Sequence, residues 1–202
     1  DVAPCRDGFF FLSDYVPGLD AAQVLEREGP LPIARVVRLG AQMLDALSHA
    51  HAGQAIHCDL KPTNVLISQV DGAEAVKLTD FGAARVYQAA PFSGLSLTRS
   101  LLSLAAFMPP ELLFNYQDVN DLADQYSVAA VLYFLLTGKP PLEMPRDERR
   151  RHSSLVRRQY VPIRERRAEV PPNPAAVIEK ALSRSPGQRF PSAAAFRKAL
   201  AG

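Results

Sequence analysis

Residues 57–64 read His-Cys-Asp-Leu-Lys-Pro-Thr-Asn, and this stretch decides how the rest of the chain is interpreted. Further along the chain, residues 80–82 read Asp-Phe-Gly, and residues 109–111 read Pro-Pro-Glu. Any one of these segments alone is a common loop or turn. The three together, in this order and at this spacing, are far more specific.

A β-hairpin is predicted between the first two segments. Residues 65–67 and 76–78 are apolar and strand-like, and the Asp71-Gly72 pair between them is a strong turn signal. Such a hairpin would return the chain on itself. We therefore expect Asp80 to lie near Asn64 and Asp59, in one cleft.

Helices are predicted over most of the remaining chain. The expected helices are residues 21–28, 33–52, 124–136, 174–183 and 192–201, the last with Ser192 as N-cap. Residues 124–136 are apolar on nearly every side, which predicts the most buried helix. Residues 83–110 have no period and suggest a long loop. The fold class is therefore α+β, mainly α, with a small β-hairpin.

Composition excludes several classes of protein. The chain has 202 residues with a formal net charge of +2, which gives no case for nucleic acid or membrane binding. Two cysteines indicate no disulfide framework and favour a reducing, cytoplasmic setting. No apolar run approaches the ~20 residues of a membrane span.

The three motifs resemble the H-R-D-L-K-P-x-N, D-F-G and A-P-E segments of protein kinases. The Asp-Leu-Lys-Pro form resembles the Ser/Thr branch, and residues 181–192 are similar to the end of bacterial Ser/Thr kinases. The likeness covers nearly the whole chain and implies a kinase-like large lobe. It makes residues 1–202 a partial kinase domain, with the hinge at the start and residues 80–111 as the activation segment.

The resemblance implies a role for each residue of the motifs. Asp59 would orient the hydroxyl of a protein substrate, and Lys61 would put a cation beside the γ-phosphate of ATP. Asn64 and Asp80 offer the hard oxygen ligands that suit Mg²⁺. Gly82 would permit the bend that points Asp80 at the metal.

The same resemblance implies an adenine site. Asp14 and Val16 would offer hinge backbone groups, Ser13 would be a small gatekeeper, and Leu66 would form the floor of the pocket. The alternative is that these residues simply pack within the lobe.

Three positions depart from the kinase pattern. Cys58 replaces an arginine that normally binds a phosphate on the activation loop, so phosphorylation is expected to change activity little. Leu104 stands where active Ser/Thr kinases usually have a threonine, and Pro109 replaces an alanine. The hydroxyls available for autophosphorylation are Ser93, Ser96, Thr98 and Ser100.

The glycine-rich loop, strand lysine and C-helix glutamate that hold the nucleotide phosphates do not occur in these residues. We therefore expect that the small N-terminal lobe is missing, that a partner or further polypeptide supplies it, and that the chain alone is inactive. On this view the strand at residues 9–12 has no sheet to join.

Three functions stay open at this point. The first is a Ser/Thr protein kinase that uses ATP and Mg²⁺ on a protein hydroxyl. The second is a pseudokinase that acts as a binding or scaffold module, which Cys58 and Leu104 favour. A small-molecule kinase is the third, and the loop motif fits it less well.

Two sets of charged residues have alternative interpretations. Glu111 and Arg189 resemble an ion pair of the kinase fold, or else are two solvated charges. The arginines at positions 149–151, 157, 158, 164, 166 and 167 could dock an acidic partner, but a solvated face is the favoured interpretation.

Overall fold

A computed structural model describes residues 2–5, 8–11, 14–81, 106–114, 119–142 and 160–202, with the backbone alone at residues 2–5, 8–11, 113 and 114. Leu104, Gly82, Ser13, most of the predicted 83–110 loop, the four candidate hydroxyls and the first five arginines of the basic set lie outside these ranges. Within the described residues, no helix is both long and apolar enough to cross a bilayer.

The chain opens with two short antiparallel strands, β1 (Val2–Cys5) and β2 (Gly8–Phe11). Val2 pairs with Phe11 and Cys5 with Gly8. The expectation that the strand near residues 9–12 has no sheet to join is therefore wrong. Residues 2–5, Val-Ala-Pro-Cys, are too short and too irregular to predict a strand from the sequence.

Strand β3 (Leu19–Asp20) leads directly into helix α1 (Ala21–Glu28), which has the predicted bounds. A reciprocal cap explains the sharp start of the helix. The backbone N–H of Gln23 donates to Asp20 Oδ1 at 2.9 Å, and the backbone N–H of Asp20 donates to Gln23 Oε1 at 3.1 Å. Two of the otherwise unpaired N-terminal donors are satisfied in this way.

Helix α2 (Ile33–Ala52) also matches its predicted range. Its buried side chains recur every three or four residues, as an amphipathic helix requires. Gly40 allows close packing, since a Cβ there would lie 2.8 Å from Leu200 and 2.9 Å from Leu132.

The predicted hairpin is confirmed as β4 (Val65–Val70) and β5 (Ala73–Leu78). Val70 pairs with Ala73, so Asp71 and Gly72 alone form the turn. Their φ angles of 51° and 79° are the left-handed values that a two-residue hairpin turn needs. β3 adds to β4 on its other side, giving the order β3-β4-β5. The third strand was not predicted, because two residues carry no periodicity.

The core is built around helix α4 (Leu122–Thr137), which follows the short helix α3 (Pro110–Phe114). Every residue of α4 from Ala123 to Leu136 except Phe134 is buried. The prediction that residues 124–136 form the most buried helix is confirmed.

Three further helices close the described part of the chain: α5 (Ile163–Arg166), α6 (Pro172–Ala181) and α7 (Ala193–Ala201). Ser192 caps α7 as predicted, accepting from the Ala195 N–H at 3.1 Å. Helices α2, α5, α6 and α7 all contact α4, while the three-stranded sheet lies against α1 and α2. The loop of residues 55–64 runs between the end of α2 and the start of β4. The architecture is helix-rich with a small sheet, as predicted.

Candidate functional site

The loop at residues 57–59 is anchored from below by Asp124, which is completely buried in the first turn of α4. The Asp124 carboxylate accepts hydrogen bonds from the backbone N–H groups of His57 and Cys58, each at 2.9 Å. Nε2 of His51, at the end of α2, lies 2.8 Å from Asp124 Oδ2. Asp124 is therefore both buried and bound to this loop. His51 was missed, because nothing in the sequence links it to a residue 73 positions away.

Asp59, Lys61 and Asn64 meet at the top of this loop. Lys61 Nζ lies 2.5 Å from Asp59 Oδ2. The Asn64 amide donates to the backbone carbonyl of Asp59 at 2.8 Å and to its Oδ2 at 3.3 Å. All three are partly or fully buried, so these charges are less screened than on an open surface. A carboxylate, an ammonium and an amide NH₂ group are thus held within one hydrogen-bonded cluster.

Asp80 is brought beside this cluster by the hairpin. The N–H of Thr79 donates to the backbone carbonyl of Asn64 at 3.0 Å, one step beyond the last strand pair. Asp80 itself is exposed and has a φ of 61°, a left-handed value that Asp tolerates better than most residues. The backbone therefore places Asp80 next to Asn64, although no contact joins their side chains in the described residues.

Oxygen ligands for a divalent cation are available in this arrangement. The amide nitrogen of Asn64 is engaged with Asp59, while its Oδ1 has only a long contact with Thr63 Oγ1, at 3.5 Å, and is the atom that could bind a metal. Asp80 offers an exposed carboxylate on the adjoining turn. One or two such groups, completed by water and phosphate oxygens, are the usual protein ligands of Mg²⁺. The donor set fits this ion.

His57 and Phe81 link the loop to the turn that carries Asp80. Their ring centroids are 4.4 Å apart with a 39° tilt. His57 Nδ1 lies 3.3 Å from the backbone N–H of Asp59, and His57 Nε2 is buried with no partner among the described residues. The His57 ring is completely buried, whereas Phe81 is 43% exposed. The described residues do not cover this side of the ring.

Cys58 lies in an apolar cluster with Met108 and Leu112. Burial, followed by the nearby carboxylates of Asp124, Asp59 and Glu111, raises the pKa of its thiol to about 12. The side chain is therefore neutral near pH 7. A neutral thiol in an apolar cluster cannot perform the phosphate binding of a cationic arginine.

A buried ion pair joins the first turn of α3 to the segment just before α7. Arg189 Nη1 and Nη2 lie 2.5 and 2.9 Å from the two carboxylate oxygens of Glu111. Arg189 also donates to the backbone carbonyls of Leu122 and Ser183. The predicted pair between these distant segments is confirmed, and the alternative of two solvated charges is wrong.

The residues predicted to bind adenine differ in their solvent exposure. Asp14 is exposed, Val16 is half-buried, and Leu66 is partly buried in β4, opposite Lys77. No hydrogen bond among the described residues joins Asp14 or Val16 to the Asp59 cluster.

Three arginines of the basic set are described: Arg164 is exposed and donates to the nearby carbonyl of Val170, while Arg166 and Arg167 are half-buried. Arg167 Nη1 donates to the carbonyls of Leu31 and Leu136 at 2.7 and 2.9 Å. Arg166 lies over the ring of Tyr133 at 5.4 Å. The favoured interpretation, a solvated face, is therefore wrong for Arg167, because the Leu136 carbonyl at the end of α4 needs a donor.

The fold and the Asp59 cluster are those of a protein kinase, and comparison with known sequences gives the same family. The sequence profile of the protein kinase domain matches residues 2–200, and the chain belongs to this family. Serine/threonine-protein kinase pkn3 of Myxococcus xanthus is 36% identical over 205 residues, which cover 99% of this chain and 37% of the relative. PknB of Mycolicibacterium smegmatis is 33% identical over 193 residues, covering 95% of this chain and 30% of the relative. The predicted likeness to bacterial Ser/Thr kinases is confirmed, and the chain spans about a third of the length of these relatives.

Solved structures agree on the fold. The PknI kinase domain of Mycobacterium tuberculosis superposes with a TM-score of 0.67 at 26% identity, over 93% of this chain and 63% of that one. A crystal structure of Rad53 in complex with AMP-PNP gives a TM-score of 0.77 at 24% identity, over 98% of this chain and 47% of that one. Because Rad53 is only 24% identical to this chain, its likeness shows the protein-kinase-like fold alone.

Proposed function

We propose that the chain is the acceptor-binding and metal-binding part of a Ser/Thr protein kinase, which transfers the γ-phosphoryl group of ATP to a protein hydroxyl. The observation that carries the proposal is the contact of Asp59 with Lys61 and Asn64, on a loop whose backbone is fixed by buried Asp124. Phosphoryl transfer depends mainly on positioning and charge stabilisation, and such a rigid cluster supplies both.

Each residue of the cluster has a proposed role. Asp59 would accept a hydrogen bond from the substrate hydroxyl and hold that oxygen toward the phosphorus. Lys61 would keep the Asp59 carboxylate oriented and stabilise negative charge on the transferred group. Asn64 and Asp80 would hold Mg²⁺, which supplies charge neutralisation on the phosphate oxygens when it is bound.

Binding of ATP, the phosphoryl donor, is proposed to need further residues beyond this cluster. Asp14 and Val16 would contact adenine through their backbone, and Leu66 would form the floor. A phosphate-covering lobe, from further polypeptide or a partner, would exclude water and hold the γ-phosphate. Without it, misplacement alone costs on the order of a hundredfold in rate. A cytoplasmic setting stays a prediction, supported by Cys58 being a free thiol.

A pseudokinase is the second candidate, and Cys58 is the observation that favours it. Its neutral side chain packs on Met108 and Leu112 instead of offering a cation to the activation segment. A scaffold module would keep the same buried anchors, since Asp124 and the Glu111–Arg189 pair stabilise the fold whether or not transfer occurs. A small-molecule kinase has no observation in its favour.

The test is transfer of label from radioactive ATP to a generic basic protein in the presence of Mg²⁺. Three proteins are compared: the 202-residue chain, a longer product of the same gene that includes any upstream coding sequence, and the longer product with Asp59→Asn. We expect no useful labelling by the first, clear labelling of Ser or Thr by the second, and a loss of about a hundredfold or more in the third.

Asp71→Asn in the longer product is the matched control. It makes the same chemical change at an exposed hairpin turn, where Asn tolerates the left-handed backbone. Its activity should equal that of the unchanged protein. Absence of labelling by the unchanged longer product would move the assignment to the pseudokinase, and strong labelling by the 202-residue chain would overturn the need for a covering lobe.

A further inference from the structure

Helix α2 is joined to strand β5 by a side chain from the middle of the helix. Gln42 accepts a hydrogen bond from the backbone N–H of Val76 at 2.9 Å and donates to the backbone carbonyl of Glu74 at 3.0 Å. Because Thr79 bonds to Asn64 across the hairpin, the backbone groups of alternate residues 74 and 76 are turned away from β4. The Gln42 amide therefore pairs with β5 on the side opposite β4, as the backbone of another strand would.

A second side chain of α2 contacts the same part of β5. Arg35 Nη2 lies 2.7 Å from Glu74 Oε1, and Arg35 Nε donates to the same oxygen at 2.9 Å. Both side chains are less than a fifth exposed, so this pair is less screened than one on an open surface. Helix α2 thus binds Glu74 through its side chain and its backbone, and Val76 through its backbone.

These contacts supply something that the pairing with β4 does not. Six residue pairs, from Val65–Leu78 to Val70–Ala73, fix which residues of β4 and β5 lie opposite each other. The angle between two strands is less strictly fixed, since neighbouring strands twist by about 10–35° and the twist is larger in two-stranded ribbons. β3 pairs with β4 over only two residues, on the side away from β5. Contacts from α2 are therefore well placed to fix the angle of β5.

The angle of β5 decides where Asp80 lies. Asp80 follows Val76 by four residues, roughly 13 Å along an extended chain. A change of ~10° in the twist of β5 would therefore move Asp80 by about 2 Å. Such a movement would also break the 3.0 Å hydrogen bond from the Thr79 N–H to the Asn64 carbonyl, which is the last bond of the hairpin before Asp80.

We infer that Gln42 is a positioning residue for Asp80, and that it acts through its hydrogen bond to the Val76 N–H. It fixes the angle of β5 and with it the separation between Asp80 and Asn64. The functional consequence rests on the proposed kinase activity, in which these two residues hold Mg²⁺. A displacement of ~1 Å at such a site can lower a rate on the order of a hundredfold.

The experiment measures amide hydrogen exchange in the 202-residue chain, residue by residue, by NMR. Gln42→Met removes both hydrogen bonds and keeps an unbranched side chain of similar length. Exchange at Val76 should become faster in any case, because its N–H loses its acceptor. We expect exchange at Thr79 to become about fivefold faster as well, the effect of one net hydrogen bond, with no change at Leu132 in α4.

Gln69→Met is the matched control. It makes the same chemical change on the same hairpin, at an exposed position whose side chain forms no hydrogen bond within the described ranges. Exchange at Thr79 should be unchanged in this variant. Gln42→Glu is the conservative variant, because a carboxylate still accepts from the Val76 N–H. It should keep exchange at Thr79 within about twofold of the unchanged chain, well short of the effect of losing that bond.

The pattern of exchange decides the inference. Faster exchange in Gln42→Met at Val76 alone would overturn it, because Gln42 would then satisfy one donor and nothing more. An equal increase at Thr79 and Leu132 would also overturn it, since the variant would then lower only the global stability. An increase at Thr79 in Gln42→Glu as large as in Gln42→Met would exclude the Val76 bond as the link.

The same variants in the longer gene product test the link to the metal ligands. Gln42→Met should raise the Mg²⁺ concentration needed for half-maximal transfer by about threefold and leave the KM for the protein substrate unchanged. An unchanged Mg²⁺ requirement would overturn this link. Hydrogen exchange needs neither ATP nor Mg²⁺, so a failure of the positioning role is distinguishable from a failure of the kinase assignment.

Discussion

The two sides of the loop at residues 57–64 differ sharply in burial. Below the loop, Asp124 is fully buried and its carboxylate is engaged by three donors. Above it, Asp80 is exposed and Phe81 is 43% exposed. The buried polar contacts of Asp124 hold the loop in place. Asp80 and Phe81, on the side proposed to meet a nucleotide, are largely exposed and contribute little to packing. Stability and proposed function are consequently carried by different aspartates.

The largest effect on stability is expected at Asp124, on the buried side of the loop. Asp124→Ala leaves the N–H groups of His57 and Cys58 buried without acceptors, at about 1–3 kcal/mol each, so unfolding in urea should be easier by about 4 kcal/mol. Asp121→Ala is the control, because Asp121 makes no capping hydrogen bond; it should change stability by less than about 0.5 kcal/mol. Similar losses for the two variants would remove the distinction between the two sides of the loop.

Arg189→Met is expected to cost slightly less. It leaves the buried carboxylate of Glu111 without its partner, which should lower the free energy of unfolding by about 3 kcal/mol. The double variant Glu111→Leu/Arg189→Met should recover part of that loss, since no charge is then left buried. The surface pair Arg197–Asp45 provides the control, because Arg197→Met should cost less than about 1 kcal/mol. A double variant less stable than Arg189→Met would contradict this account.

Cys58 predicts a pH effect of intermediate size. Its thiol has an ordinary pKa of 9.0 in the unfolded chain and a pKa of about 12 in the folded one. The stability linked to the neutral thiol is complete below pH 9 and is lost as the pH rises from 9 toward 12, because only the unfolded chain then gives up the proton. The loss is about 1.4 kcal/mol for each pH unit within that window.

Urea unfolding at pH 8 and pH 10 checks this effect. Between those two values, the unchanged chain should lose about 1 kcal/mol more than Cys58→Ala. Tyr160, whose pKa is also raised to about 12, is present in both proteins and cancels. Parallel pH profiles for the two proteins would mean that the Cys58 thiol is solvated in the folded state.

Asp80 should show the smallest effect on stability. Asp80→Asn keeps a residue that tolerates the left-handed backbone and removes no hydrogen bond made in the described residues, so the change should be under about 0.5 kcal/mol. The same variant in the longer gene product should lose Mg²⁺-dependent transfer. A destabilisation as large as that of Asp124→Ala would show that Asp80 supports the fold.

The local elements of the molecule were predictable from the sequence, and the reason is physical. The bounds of α1 and α2 and the hairpin turn at Asp71-Gly72 follow from caps, periodicity and backbone preferences that act over a few residues. The order of the three motifs likewise predicted the family. Asp59, Lys61 and Asn64 lie within six residues, so their meeting required only a local loop.

Other features depended on contacts between residues far apart in sequence. Neither the addition of β3 to β4 nor the bond of His51 to Asp124 has a local signal. Leu19–Asp20 is too short for a pattern, and a histidine at the end of a helix gives no indication of its partner. Arg167 belongs to a basic set that suggested a solvated surface, yet the ends of other elements supply its acceptors.

The sequence by itself determined the family, the helices and the identity of the candidate acceptor and metal residues, because these depend on residue type and short spacing. Only the tertiary structure decided which charges are buried. Burial depends on the packing of α4 against its neighbours. Those outcomes follow from the whole three-dimensional arrangement of the chain, and they separate the residues that stabilise this kinase fold from those available to its ligands.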